Sequence, residues 1–288
     1  MTSDGWQLTE DIDDFLARAG DFLRSRPALH NTPLTDLEKL RLGAPGTQGD
    51  QAAAFGRLES AGEVHAVFYL TRRGRLGLTR LSAHRTNRLA ARLAALGHRP
   101  AHVIADRATA TAFAEAWQRH TGATAAPFWR THLYRLGTLT PPRPGPAGRG
   151  RPAGPDDREQ VVRWCREFCV DVGEQASVDL IDAGAWADSR FGDRHFTFWE
   201  SPDGAPVSMA AGTSLVGGMI RIDPVYTPAQ LRGRGYAGAV TAAAGRAALA
   251  AGATEVVLFT DPANPTSNAL YQRLGFVQVD DFAGYRFS

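Results

Sequence analysis

The sequence predicts an α/β protein with a mixed sheet, built as two related halves of which the C-terminal one carries the chemistry. Three observations predict this. Segments with strand-like composition alternate with segments of helical period along the whole chain. A Pro/Gly-rich stretch, "TPPRPGPAGRGRPAGP" (140–155), interrupts the rhythm near the middle. The order after it is helix, three strands, helix, strand, helix, strand, and a weaker version of that rhythm precedes it.

Bulk composition bounds the rest. The 288 residues suit one large domain or two of ordinary size, and the expected division is 1–140, a linker at 141–155, and 156–288. Hydrophobic residues at 43% and charged residues at 22% are the balance of a soluble globular protein. A net charge of +2 gives no electrostatic case for nucleic acid or an anionic membrane. The acidic start "MTSDGWQLTEDIDDFLARAG" lacks the basic and apolar regions of a signal peptide, and no apolar run approaches the ~20 residues of a membrane span. A cytoplasmic protein is expected. Cys165 and Cys169 share a helix face, yet no second Cys or His pair lies near them to complete a metal site. They read as small buried hydrophobes, and no metal is expected.

Each element has its own signal. Helical patterns cover 9–24 and 34–42. "EVHAVFYL" (63–70) reads as a strand on its β-branched and aromatic residues, and "TRRGR" (71–75) as a solvated turn. "TNRLAARLAAL" (86–96) sets leucines 89, 93 and 96 in a helical stripe. "AHVIAD" (101–106) is a short strand, "ATAFAEAWQRHTG" (110–122) a helix closed by Gly122, and "THLYRLGTL" (131–139) another strand. After the linker, 157–174 is amphipathic through Val161, Trp164, Cys165 and Phe168. "HFTFWES" (195–201), "APVSMAAGTSLV" (205–216) and "GGMIRIDPVY" (217–226) are consecutive strands. A helix at 236–252, a strand at 255–261, a helix at 267–275 and a last strand from Phe276 complete the half.

The stretch "QLRGRGYAG" (230–238) admits two readings. As G-x-G-x-x-G it is a dinucleotide-binding turn, and Asp261 stands where the ribose-binding acid belongs. That fold needs its first glycine close to the end of a strand, but "TPAQLR" separates Tyr226 from Gly233. It also needs further parallel strands, and only one more helix and strand follow. Read as Q-x-x-G-x-G, the stretch puts Gln230, Gly233 and Gly235 before an Ala-rich helix. Unpaired N–H groups at such a helix start hold a pyrophosphate, glycine lets it approach, and Arg232 and Arg234 add positive charge. Downstream, "NPTSNALYQRLGF" (264–276) sets Asn264 seven residues before Tyr271, with Gly275-Phe276 at its end.

Together the two motifs resemble the GCN5-related N-acetyltransferase (GNAT) superfamily over residues 155–288. The resemblance implies a C-terminal GNAT fold with splayed central strands, acetyl-CoA as co-substrate, and no metal. The N-terminal half resembles a degenerate copy: 101–123 stands where a phosphate loop and helix would be, without the motif. The resemblance also implies that pantetheine runs along Val225, Tyr226 and Thr227. Its pyrophosphate would lie on the loop Leu231, Arg232, Gly233, Arg234, Gly235, Tyr236 and Ala237. Tyr271 matches the acid that protonates the departing thiolate, or else packs in the core. Asn264 either holds pantetheine or caps the helix ahead of Pro265. Asp223 is the candidate base, or a strand-end turn residue before Pro224. Asp171 and Glu174 would bind a cationic substrate or are solvated helix-end acids, and Tyr285 would line the acceptor pocket or belong to the core.

The expected activity is acetyl transfer to the amine of a small molecule. A protein amino terminus or lysine as acceptor, or a non-catalytic acyl-CoA sensor, are the alternatives. The partner is then the small amine, and a homodimer is left open.

Overall fold

The computed structural model describes residues 5–43, 52–186, 189 and 191–288, so the first four residues of the acidic N-terminal stretch lie outside the description. The chain forms two compact units, one of Met1–Leu133 with Val279–Ser288, the other of Tyr134–Gln278. This differs from the expected division at 140–155. The last ten residues belong to the first unit, and Arg149–Pro152 within the expected linker is a strand. Among the described residues no helix is long and apolar enough to cross a membrane.

In the first unit, β1 (Gly5–Thr9), α1 (Ile12–Arg24) and α2 (Asn31–Leu42) precede a meander of β2 (Ala52–Ser60), β3 (Glu63–Thr71) and β4 (Arg75–Leu78). The turn between β3 and β4 is the expected one, with Gly74 at a positive φ of 81°. Helix α3 (Ala83–Ala95) crosses to β5 (His102–Asp106), which pairs parallel to β4. Helix α4 (Arg107–Thr121) and β6 (Ala125–Leu136) follow. Residues 282–286 of the final strand pair antiparallel with β5, giving the order β1-β2-β3-β4-β5, then the final strand, then β6. Phe68, Leu76, Leu89, Leu93, Val103 and Phe113 fill the core over this sheet. The crossover helix between the parallel strands is α3, so 79–82 stands where a phosphate loop belongs. The expectation of 101–123 misplaced it by one strand–helix step.

The second unit runs β7 (Arg149–Pro152), α5 (Arg158–Asp171), α6 (Gln175–Asp182), β8 (His195–Glu200), β9 (Pro206–Gly212), β10 (Met219–Tyr226), α7 (Tyr236–Ala250), β11 (Glu255–Thr260), α8 (Pro265–Arg273) and β12 (Phe276–Phe287). Strands β7 to β10 pair antiparallel and β10 pairs parallel to β11, so the sheet is mixed as expected. One face of β10 enters a core with Val240, Val256, Tyr271 and Phe276, and the other a core with Trp164, Phe198 and Met209. Cys165 and Cys169 are buried in that second core and form no disulfide, in keeping with their reading as small buried hydrophobes. Alanines dominate the buried face of helix α7.

β7 is short and nearly all polar, and charge holds it in place. Arg151 grips both oxygens of Asp157 at 2.6 and 2.9 Å and also bonds Glu200, which Arg149 meets at 3.2 Å. The bond from Arg151 is the leading cause that holds both the Glu200 and Asp157 carboxyls below their ordinary pKa. A carboxyl with a depressed native pKa stabilises the fold above its unfolded pKa, and that stability is lost as pH falls through the native value. Arg151→Met should therefore lower Tm at neutral pH and flatten its decline below about pH 4. Thermal melts of both proteins between pH 3 and 7 check this, and parallel curves would contradict it.

Candidate active site

The site begins with an irregularity in β10. Ile222 pairs with Gly212 of β9, but Val225, three residues on, pairs with Ala210, only two back. The extra residue is a β-bulge, and it reverses the side-chain alternation of the strand. Ile220 and Ile222 face the α7 side, and past the bulge so does Val225, while Tyr226 turns to the α5 side. The parallel pairing with β11 ends at the same point, with Ile222 opposite Leu258. β10 runs four residues beyond that and β11 two, unpaired with each other. This is the expected parting of the central strands.

The end of β10 is held on the other side. Ser208 Oγ donates to the Tyr226 carbonyl at 2.9 Å and lies 2.8 Å from Thr227 Oγ1. The Tyr226 hydroxyl donates to Glu167 of α5 at 2.8 Å. Burial and that carboxylate push the phenol pKa far up, so the Tyr226 side chain is a strut of the α5 core. The Tyr226 side chain is thereby committed to the α5 side of the strand.

The loop after Thr227 exposes its backbone at the start of α7. Gly233 and Gly235 have φ of 77° and 81°, a region that L side chains avoid. Gly235 is the N-cap of α7, and no side chain caps the helix. The first N–H groups of α7, from Tyr236 and Ala237 on, therefore point out of an exposed loop with the positive end of the helix dipole behind them. The arginines divide their work. Arg232 Nε donates to the Thr227 carbonyl at 2.9 Å and its Nη2 meets Asp171 at 2.5 Å, so it braces the loop against α5. Among the described residues Arg234 bonds the Gln230 carbonyl alone, at 3.3 Å, and it is exposed in the loop before the helix start. Leu231 is half-buried and closes a short turn, its N–H donating to Pro228 O at 2.8 Å.

α8 supplies the third part. Asn264 Oδ1 accepts from the Ser267 N–H at 3.0 Å, so the side chain caps the helix, which is the local role open to it from sequence. Tyr271 lies two turns on, in the core, with its ring edge-on to Phe276 at 6.0 Å. Among the described residues its hydroxyl takes no hydrogen bond. Burial, and then the charge of Asp223, raise its pKa well above the usual phenol value. Asp223, at the parting of the strands, is thus near enough for its charge to act on the Tyr271 phenol. Asp223 sits in the bulge, and Arg194, absent from the sequence reading, meets its Oδ2 at 3.5 Å. The side chain of Arg194 is only 2% exposed, and nothing in "GDRHF" (192–196) distinguishes it from a surface arginine.

The remaining candidates lie elsewhere. Asp171 is spent on Arg232, and Glu174 ends the α5–α6 turn, 3.9 Å from Cys169 Sγ. Tyr285 belongs to the first unit, packed on its core with its hydroxyl 3.0 Å from Thr111 Oγ1. In the first unit the corresponding loop is closed on itself. Thr109 Oγ1 donates to the Leu81 carbonyl and accepts from its N–H, and Ser82 caps α3 by accepting from the Arg85 N–H.

Comparison with known proteins gives the same outline. Residues 159–276 match the model of the acetyltransferase (GNAT) family. No match was found among curated proteins. A GCN5-related N-acetyltransferase from Sphaerobacter thermophilus superposes with a TM-score of 0.56 at 18% identity, covering 99% of this chain and 96% of that one. A tandem GNAT protein from the clavulanic acid biosynthesis pathway gives 0.54 at 14%, over 99% and 98%. A GCN5-related N-acetyltransferase from Kribbella flavida gives 0.53 at 17%, over 88% and 95%. At these identities the likeness shows the fold.

The two motif glycines are required for different reasons. A Cβ on Gly233 would meet nothing within 4 Å, so Gly233→Ala meets only its positive φ and should cost about 1–2 kcal/mol. A Cβ on Gly275, at φ 93°, would stand 1.9 Å from the Thr138 carbonyl oxygen. Gly275→Ala should cost clearly more, because backbone must move. Urea unfolding of the two variants checks the order, and equal losses would contradict it.

Proposed function

We propose, from the match of residues 159–276 to the model of the acetyltransferase (GNAT) family, that this protein transfers an acetyl group from acetyl-CoA to the amine of a small molecule. One observation carries the reading: an exposed, uncapped helix start follows directly on a bulged strand that has parted from its parallel neighbour. The helix start suits a pyrophosphate, and the unpaired strand edges suit an amide-bearing arm lying between them. The donor set fits acetyl-CoA at Gly233, Arg234, Gly235, Tyr236 and Ala237. Arg232 supports the loop from behind, and Asn264 supports it through α8. The first unit lacks this arrangement, since Thr109 and Ser82 already occupy the backbone groups a ligand needs, and one acyl-CoA per chain follows.

The chemistry then falls to few groups. Pro224 has no N–H, so the donor to the thioester carbonyl oxygen comes from the backbone of Val225–Thr227. Asp223 takes the proton that an acceptor ammonium must lose before its lone pair can attack. The C–N bond forms and the C–S bond breaks, with its electron pair going to sulfur. Tyr271, kept neutral by burial and by Asp223, gives its proton to the sulfur. The second proton of the attacking nitrogen replaces the one Tyr271 has given.

Thiol release from acetyl-CoA with a panel of small amines tests the activity, and turnover with at least one is expected. Tyr271→Phe should lower kcat by about 10²-fold, the lower end of general acid catalysis, with acetyl-CoA affinity nearly unchanged. A phenylalanine variant that melts and turns over like the parent would contradict the acid role of Tyr271. Failure of every amine would contradict the transferase reading.

A further inference from the structure

We propose that Arg143 binds the phosphates of acyl-CoA, brought beside the start of α7 by the Pro/Gly-rich segment that precedes β7. The inference rests on the acyl-CoA reading of the site. Residues 137–148 have the composition of a linker, yet they are tied down within the second unit. At one end the Gly137 N–H donates to the Gly275 carbonyl and the Thr140 N–H to the Leu274 carbonyl, both at 2.9 Å. At the other end Trp199 Nε1 donates to the Ala147 carbonyl at 3.3 Å, and Arg149 meets Glu200. Between these ties the segment lies along α7. A Cβ on Gly245 would stand 3.6 Å from Leu139, one on Gly238 3.3 Å from Pro142, and one on Gly235 3.6 Å from Pro146. The segment therefore follows α7 toward its N-terminus and reaches the N-cap. Proline suits that course, because its ring is rigid and it has no N–H to satisfy. Pro142 and Pro146 are half-buried, and Arg143 between them is exposed.

The first N–H of α7 bonded back along the chain is that of Ala239, to the Gly235 carbonyl at 3.1 Å, which leaves the turn before it open. Acyl-CoA brings a pyrophosphate and a further phosphate on its ribose, more negative charge than one helix start balances. Most other cations nearby are engaged. Arg232 holds Asp171 and the Thr227 carbonyl, Arg149 and Arg151 hold Glu200, and Arg234 bonds the Gln230 carbonyl. Arg246 lies in the second half of α7 and Arg273 at the end of α8. Carboxylates are scarce here. Residues 134–148, 227–250 and α8 contain none, and Asp261 Oδ1 accepts from the Ala263 N–H in its own turn at 2.8 Å. Among the described residues Arg143 has no hydrogen-bond or ion-pair partner. Its charge therefore adds to that of Arg234 and the helix start, and the three repel one another until an anion arrives. A guanidinium also presents a planar fork of donors that matches phosphate oxygens.

Titration calorimetry of the full chain with acetyl-CoA tests this. Arg143→Ala should raise Kd about tenfold, and Arg143→Lys, which keeps the charge without the fork, should recover part of the loss. The contact joins exposed charges, so raising salt from about 0.05 M to about 0.5 M should shrink the gap between parent and Arg143→Ala. An unchanged Kd in Arg143→Ala beside a parent that binds overturns the inference and leaves the acyl-CoA reading standing. A loss of affinity that salt does not shrink also overturns it, because damage to the packing of the segment is not screened. A parent that binds no acetyl-CoA overturns the acyl-CoA reading itself, and this inference with it.

Discussion

One extra residue in β10 sets the rest of the site. Without the bulge between Ile222 and Val225, β10 would stay in step with β9, and Val225 would face the α5 core where Tyr226 now packs. With it, the strand turns out of register, its pairing to β11 stops at Ile222, and Asp223 stands at the point of departure. The bulge costs ladder hydrogen bonds, and side chains offset that cost. Ser208 takes the Tyr226 carbonyl, Arg232 takes the Thr227 carbonyl, and Glu167 anchors the Tyr226 ring. α5 serves twice, because Glu167 and Asp171 are one turn apart and hold the strand end and the loop in turn. The loop between β10 and α7 is thus braced from α5.

The two units share a plan and differ in how they use it. Each has a meander, a helix crossing to a parallel strand, and a second helix. In the first unit a threonine side chain on α4 ties up Leu81 and a serine caps α3. In the second, the corresponding cap position is Gly235, which has no side chain to offer. The difference between a closed and a receptive helix start thus rests on a few residues. That is the physical content of calling the first half degenerate.

Much of this was legible in the sequence, and what escaped did so for definite reasons. The loop, α7, β11 and α8 could be read because glycine pairs, an alanine-rich helix and a β-branched strand each leave local signals. The resemblance pointed to Tyr271 and position on the central strand to Asp223, and the charge of Asp223 acts on the Tyr271 phenol. β7 was hidden because "RGRP" has linker composition and its stability comes from Asp157 and Glu200, remote in spacing from a strand pattern. α6 went unread because eight residues carry little periodic signal. β1 and β2 went unread for similar reasons, one being five residues long and the other alanine-rich. Arg194 and the bracing role of Arg232 depend on partners distant along the chain, and single-residue chemistry does not announce those. Tyr285 packs on the core of the first unit, one of the two places the sequence left open for it, because β12 passes from one unit to the other along its length.

The central claim is that the parted strands and open helix start of the second unit form an acyl-CoA site, and that the first unit forms none. Isothermal titration calorimetry with acetyl-CoA measures this most directly. The account predicts one molecule bound per chain. Two molecules per chain, or none, would contradict it.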